Sequence, residues 1–277
     1  MKRSLVIAML AILAIGFISV PDQAAEAASP AVASGDLKAS KLTFAYADLT
    51  GQRLLGFESS KPKRFVKAVF APGTTLDTKY VKHQKESDKS NGRQTAWNFD
   101  DDEGELYSIA KGKVAPNDSV LLAEKDAFED HVFLSYKPVS KGTFSKSVIT
   151  QIEKQKKRKV AKQGLIGQVK PDVSIGLVEY VKAKGQKPLA SLVLSTKKGP
   201  LLLDFVGNDD PNSTWRVDDG GTITPDMFRI LFVTESKQGY SFAYEWSGAE
   251  GYSLEVLQQQ GGKLRSVLHG SRYAAPI

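Results

Sequence analysis

The chain has no cysteine among its 277 residues. Thiol nucleophiles, thiolate metal sites, disulfides and lipidation at a cysteine are therefore excluded, and core burial alone must hold the fold. Histidine is scarce too. His83, His131 and His269 fall in three separate predicted elements. No H-E-x-x-H zinc motif, G-x-S-x-G nucleophile turn or Gly-rich phosphate loop occurs. Beyond Val20 no apolar run approaches the roughly 20 residues that a membrane-spanning helix needs. One catalytic arrangement survives these absences, a carboxylate pair assembled from distant loops as in glycoside hydrolysis.

What is present starts with the first 27 residues. Met1-Lys2-Arg3 is basic, Leu5 to Val20 is apolar, and Ala25-Glu26-Ala27 follows Pro21. That is the three-part layout of a cleavable secretory leader. The expectation is a bacterial chain that is secreted or loosely associated with the cell wall, with no transmembrane segment after cleavage. The formal net charge is +7. Removing Lys2, Arg3, Asp22 and Glu26 with the leader leaves it unchanged. Outside a cell a basic protein meets anionic cell-wall polymer or another anionic surface; alternatively, its charge serves solubility alone. No recognised nucleic-acid module or interleaving of basic with aromatic residues is present, so no specific nucleic acid partner is expected.

Residues 28–40 are small and polar and read as a flexible spacer. From Lys41 the dominant period is two. Leu42, Phe44 and Tyr46 alternate with Thr43, Ala45 and Ala47, and Asp48-Leu49-Thr50-Gly51 turns the chain into residues 53–57. Further strands are predicted over residues 65–70, 95–99, 105–110, 119–124 and 131–137, and the Lys-rich stretch 80–93 reads as a mobile loop. Residues 144–163 change period: Phe144, Val148 and Ile152 recur every four residues, with Gly164 as the stop. Strands then return along 173–181, 189–196, 201–206, 228–234, 240–246, 252–258 and 263–269. Their short connections predict antiparallel pairing.

The fold class expected is therefore a β-rich α+β protein. It has short antiparallel strands and one amphipathic basic helix, about 144–163, packed on a C-terminal antiparallel sheet. An all-β region over 41–140 would precede a helix-plus-sheet region over 141–277, unless the two form one continuous fold.

Three groups of residues are candidate sites. Lys154, Lys156, Lys157, Arg158 and Lys159 form a basic run that could dock an anionic polymer or simply solvate a helix end. Tyr240, Phe242, Tyr244 and Trp246 are spaced by two and share one strand face, which is either a platform for a ligand or core. Asn208, Asp210, Asn212 and Asp219 echo the spacing of a calcium loop, so Ca²⁺ is the one metal considered; no other cofactor is expected. Pro211 and Ser213 depart from that pattern, and a turn rich in Asn and Asp explains the same residues. The run Asp100-Asp101-Asp102-Glu103-Gly104-Glu105 is a second carboxylate cluster. The leading functional expectation is an exported, non-catalytic binding protein for anionic wall polymer or a small ligand. The alternatives are an extracellular hydrolase with a carboxylate site and a structural component of an extracellular layer.

Overall fold

Alternating apolar residues build nearly all of this molecule. The computed structural model describes residues 35–275 apart from Glu58, so the predicted leader lies outside the described residues. Six strands close into an antiparallel barrel in the order β1-β2-β5-β4-β3-β6. They are β1 (Leu42–Ala47), β2 (Arg53–Gly56), β3 (Phe65–Phe70), β4 (Thr74–Gln84), β5 (Gly104–Ile109) and β6 (Ser119–Glu124). One face of every strand fills the interior: Ala45, Leu54, Phe65, Phe70, Tyr107 and Leu122 share one buried cluster. Side chains fill the interior of so narrow a barrel.

Closure needs local bending. The β3–β6 ladder slips between Phe65 and Lys67, and the β4–β5 ladder between Tyr80 and Lys82. Such bulges kink a strand and strengthen its twist.

Beyond the barrel come β7 (Val132–Phe133), β8 (Lys137–Pro138), α1 (Lys146–Lys156), β9 (Val160–Lys170), β10 (Val173–Tyr180), β11 (Leu189–Thr196) and β12 (Gly199–Val206). The chain ends with β13 (Phe228–Ser236), β14 (Gly239–Gly248), β15 (Gly251–Gln260) and β16 (Lys263–Tyr273). They form two five-stranded antiparallel sheets, one ordered β12-β11-β10-β9-β8 and the other β16-β15-β14-β13-β7. Ile175, Leu192 and Leu194 of the first sheet share a core with Ile230, Val233, Phe242 and Leu257 of the second.

The second sheet is apolar on both faces. Leu231, Phe232, Ala243, Leu254 and Val256 cluster with Leu42, Phe44, Val69 and Leu121 on the outside of the barrel. This explains why β6 is buried at every position: its inner side chains enter the barrel and its outer ones meet the second sheet. All described residues belong to one compact unit.

Several elements differ from the sequence expectation. The helix covers Lys146–Lys156 rather than 144–163. It stops at Lys157, which takes a left-handed conformation with φ of 54°. Gly164, the expected stop, lies inside β9, which starts at the β-branched Val160. Residues 80–84 belong to β4, whereas 95–99 form turns rather than a strand. The expected strand over 131–137 is split: β7 edges one sheet and β8 the other. The two sheets replace the single C-terminal one.

The described end of the expected spacer is docked. Leu37 is buried, its N–H donates to Gln258 Oε1 at 3.0 Å, and Gly35 O accepts from His131 Nε2 at 2.7 Å. Among the described residues no helix is long and apolar enough to cross a membrane.

Candidate functional site

The loop joining β12 to β13 carries more turn chemistry than any other connection, and it holds the calcium-like residues. Asn208 Oδ1 accepts from Asp210 N at 2.8 Å, and Asp210 Oδ1 accepts from Asn212 N at 2.9 Å. Such short side-chain-to-backbone bonds are how Asn and Asp build turns. Asp219 is the hub. Its carboxylate accepts from the backbone N–H groups of Thr214, Trp215, Arg216 and Gly221. Burial alone would raise its pKa, yet these four donors hold the carboxyl below its ordinary value. Asn208, Asp210 and Asp219 each spend acceptor oxygens on the loop's own backbone. Among the described residues no group of His, Asp and Glu is arranged to hold a metal ion.

Two cavities flank this loop. One, of about 270 Å³, lies between the loop and the β10–β11 end of the first sheet, lined by residues including Tyr180, Lys182, Pro188, Asp209 and Trp215. The other, also about 270 Å³, lies against the end of β14, where Arg216, Thr222, Met227, Trp246, Ser247 and Gly248 line it. Arg216 donates from Nη1 to Trp246 O and from Nη2 to Gly251 O at 3.2 Å. Its guanidinium lies 5.4 Å from the centre of the Trp246 ring. Trp246 is 7% exposed, and its indole N–H has no acceptor among the described residues.

The aromatic stripe faces the layer between the sheets. Phe242, Tyr244 and Trp246 are buried and Tyr240 is half-buried, all in the core shared by the two sheets. Trp246 stacks on Phe228 with ring centres 5.1 Å apart, and Tyr244 donates to Glu255 Oε2 at 2.5 Å. The stripe is core, and no flat outer platform is built from it.

The basic run divides. Lys156 Nζ donates to Asp204 Oδ2, and Asp204 Oδ1 accepts from Ser191 Oγ at 2.6 Å, so Lys156 ties α1 to the first sheet. Lys159 pairs with Glu153 at 2.6 Å, and the other oxygen of Glu153 accepts from Val160 N at 3.1 Å. Arg158 donates to Val181 O at 3.0 Å and Lys187 O at 3.2 Å, which clamps the end of α1 to the 181–187 turn. Lys154 and Lys157 stay exposed, as do Lys184 and Lys187 across that clamp. None of these four makes a salt bridge among the described residues. Arg158 thus sets two basic segments separated in sequence against each other.

The acidic run 100–105 disperses. Asp100 pairs with Arg53, Asp101 accepts from the Ser87 hydroxyl, and Asp102 accepts from the Tyr46 hydroxyl at 2.7 Å. Burial, reinforced by the charges of Glu86 and Glu103, raises the Asp102 pKa against these hydrogen bonds. Glu103 and Glu105 each lie 3.3 Å from His83.

Sequence reasoning missed Arg216, Thr222, Met227 and Gly248. Trp215-Arg216 inside a turn-rich loop is the available signal, but nothing local says that Arg216 reaches β14. No protein-family model, curated protein or solved structure matches this chain.

Proposed function

We propose that this is an exported, non-catalytic protein that adsorbs to anionic cell-wall polymer through the face formed by the end of α1 and the 181–187 turn. The observation that carries this reading is the Arg158 clamp. It ties the end of α1, which carries Lys154 and Lys157, to the turn that carries Lys184 and Lys187, four exposed lysines without salt-bridge partners among the described residues. Unpaired lysines on a rigid surface attract a polyanion without first breaking an ion pair, and salt screens that attraction. The basic start, apolar run and small-x-small end of Met1 to Ala27 support export. The lack of local catalytic motifs and the self-satisfied carboxylate loops support a binding role.

The test is retention of the chain from Ala28 onward on isolated cell walls. Binding is expected at about 0.05 M salt and loss at about 0.5 M, where the screening length falls to a few ångströms. Replacing Lys154, Lys157, Lys184 and Lys187 with Ser should abolish low-salt retention. Retention equal to that of the unaltered protein would reject this face as the docking surface.

A further inference from the structure

The cavity between the β12–β13 loop and the β10–β11 end of the first sheet has fixed walls. Gly207 N–H donates to Pro188 O at 3.0 Å, and a Cβ on Gly207 would lie 2.9 Å from Pro188 Cβ. The missing side chain lets the loop pass this close to the sheet. A second tie is the ion pair of Lys182 with Asp209, at 2.5 Å. Trp215 is held as firmly. Its backbone N–H donates to Asp219, its indole N–H donates to Gly221 O at 3.3 Å, and its ring packs against the core shared by the two sheets.

The lining combines apolar surface with balanced charge. Pro188, Leu189, Pro211 and Trp215 supply the apolar part. The charged residues of the lining are Glu179, Lys182 and Asp209, and each is paired: Lys182 with Asp209, and Glu179 with Lys162 at 2.9 Å. A ligand with net charge finds no free counter-charge in the lining and would have to break a pair to gain one. Hydroxyls suit the lining better. An ammonium has three donors and a carboxylate about four acceptor sites, so the Lys182–Asp209 pair keeps both kinds for a ligand.

We propose that this cavity binds one neutral sugar ring, with an apolar ring face against Trp215 and hydroxyls on Lys182 and Asp209. Apolar walls with a few fixed polar groups are the usual make-up of a small-molecule site, and about 270 Å³ lies just under the volume that a drug-sized ligand needs. A ring with C–H groups on its faces and hydroxyls round its edge matches both parts of the lining. The site is separate from the basic face, since none of Lys154, Lys157, Lys184 and Lys187 lines the cavity.

The experiment follows the tryptophan indole N–H resonances of ¹⁵N-labelled protein during titration with glucose, galactose, mannose and N-acetylglucosamine, and with glucuronate as the charged probe. The chain has three tryptophans, and Trp215→Phe identifies the Trp215 signal as the one it removes. At least one neutral sugar should shift that signal saturably, with calorimetry giving the same dissociation constant. Trp97, which is 63% exposed, is the internal control and should not move. Glucuronate should bind no more tightly than the best neutral sugar. Raising salt from about 0.05 M to about 0.5 M should leave the neutral sugar's affinity unchanged.

Asp209→Asn and Trp215→Leu should each weaken binding at least about fivefold. Asp209 is exposed, so the test does not rest on the tryptophan variant alone. No shift with any of the four neutral sugars, an equal shift of the Trp97 signal, tighter binding of glucuronate, or full affinity in Asp209→Asn would each overturn the assignment. The four-lysine Ser variant should bind the sugar normally. That separates failure of this site from failure of wall retention.

Discussion

Two arginines in this molecule do opposite things with the same chemistry. Arg272, on β16, is 1% exposed and spends all five of its donors. Its nitrogens reach Gln94 O, Asn117 O, Asn117 Oδ1 and Ser119 Oγ, at 2.7–3.2 Å. The rings of Tyr46 and Tyr252 lie 4.7 and 5.0 Å from it. Arg216 is also held by backbone carbonyls and also lies over an aromatic ring, but it is half-buried, opens onto a cavity and has donors to spare. Burial lowers the pKa of both, and neither loses its charge in the working range of a protein. The difference lies in donor saturation. A guanidinium with every N–H satisfied is a structural bolt; Arg216, bonded through two nitrogens to two carbonyls, ties its loop to β14 and β15 with donors left over.

The sharpest test of that difference is stability. Arg272→Met should cost roughly 3–5 kcal/mol, because it strands the polar groups of Gln94, Asn117 and Ser119 and leaves buried Glu245 with one fewer compensating charge. The damage should concentrate where β16 holds the barrel. Gln94 N donates to Tyr273 O at 2.8 Å, so the 85–98 segment should become the preferred site of proteolytic nicking. Arg216→Met should cost only about 1 kcal/mol, since it frees two carbonyls and strands no buried carboxylate. Denaturant unfolding of both variants decides the matter. Equal losses would erase the proposed contrast.

A smaller effect separates the loop that carries Arg216 from the arginine itself. Asp219→Ala removes the acceptor for four backbone N–H groups and should destabilise by about 1–3 kcal/mol. The same group predicts a pH response. Its folded pKa is depressed, so its contribution is present above the unfolded value of about 3.9 and is lost as pH falls through the folded value. Amide exchange in residues 214–221 should therefore accelerate below about pH 4. In the Ala variant it should be fast already at neutral pH. Unchanged exchange would mean that the loop is held by its turns and not by Asp219.

These features differ in how far the sequence reveals them. The period of two in Leu42–Ala47 or Gly239–Gly248 is local, so strands and antiparallel pairing were legible. The helix end was not, because Lys157 adopts a left-handed conformation without being glycine. Nor was the doubling of the sheet, since burial on both faces of β13 and β14 depends on the barrel arriving from more than 100 residues away. The stripe at Tyr240–Trp246 shows the limit well: its spacing places it on one face, but only the second sheet decides that the face is core. The basic run was read as one unit, whereas Lys156 and Arg158 are ties and Lys154 and Lys157 are free surface. Arg216 was invisible because its partners, Trp246 and Gly251, lie 30 and 35 residues further along.

The least costly change extends the contrast to a ring that does titrate. His131 joins the start of the described chain to β13, through Gly35 O at 2.7 Å and Thr234 Oγ1 at 3.0 Å. A carbonyl only accepts, so Nε2 carries the proton; in the neutral ring Nδ1 then accepts from the Thr234 hydroxyl. Burial lowers the His131 pKa, outweighing the bond to Gly35 and the charges of Asp130 and Asp36. The folded state thus resists protonation more than the unfolded chain does. Its contribution is complete above the unfolded pKa of about 6.5 and declines as pH falls through the folded value. A guanidinium in the same place would give no such slope. Between about pH 7 and pH 5 the unaltered protein should lose stability that His131→Gln does not lose, measured as the difference in their denaturant midpoints. Parallel pH profiles for the two would show that the anchor at Gly35 rests on Gln258, whose Nε2 donates to the same carbonyl at 2.9 Å, and not on the ring.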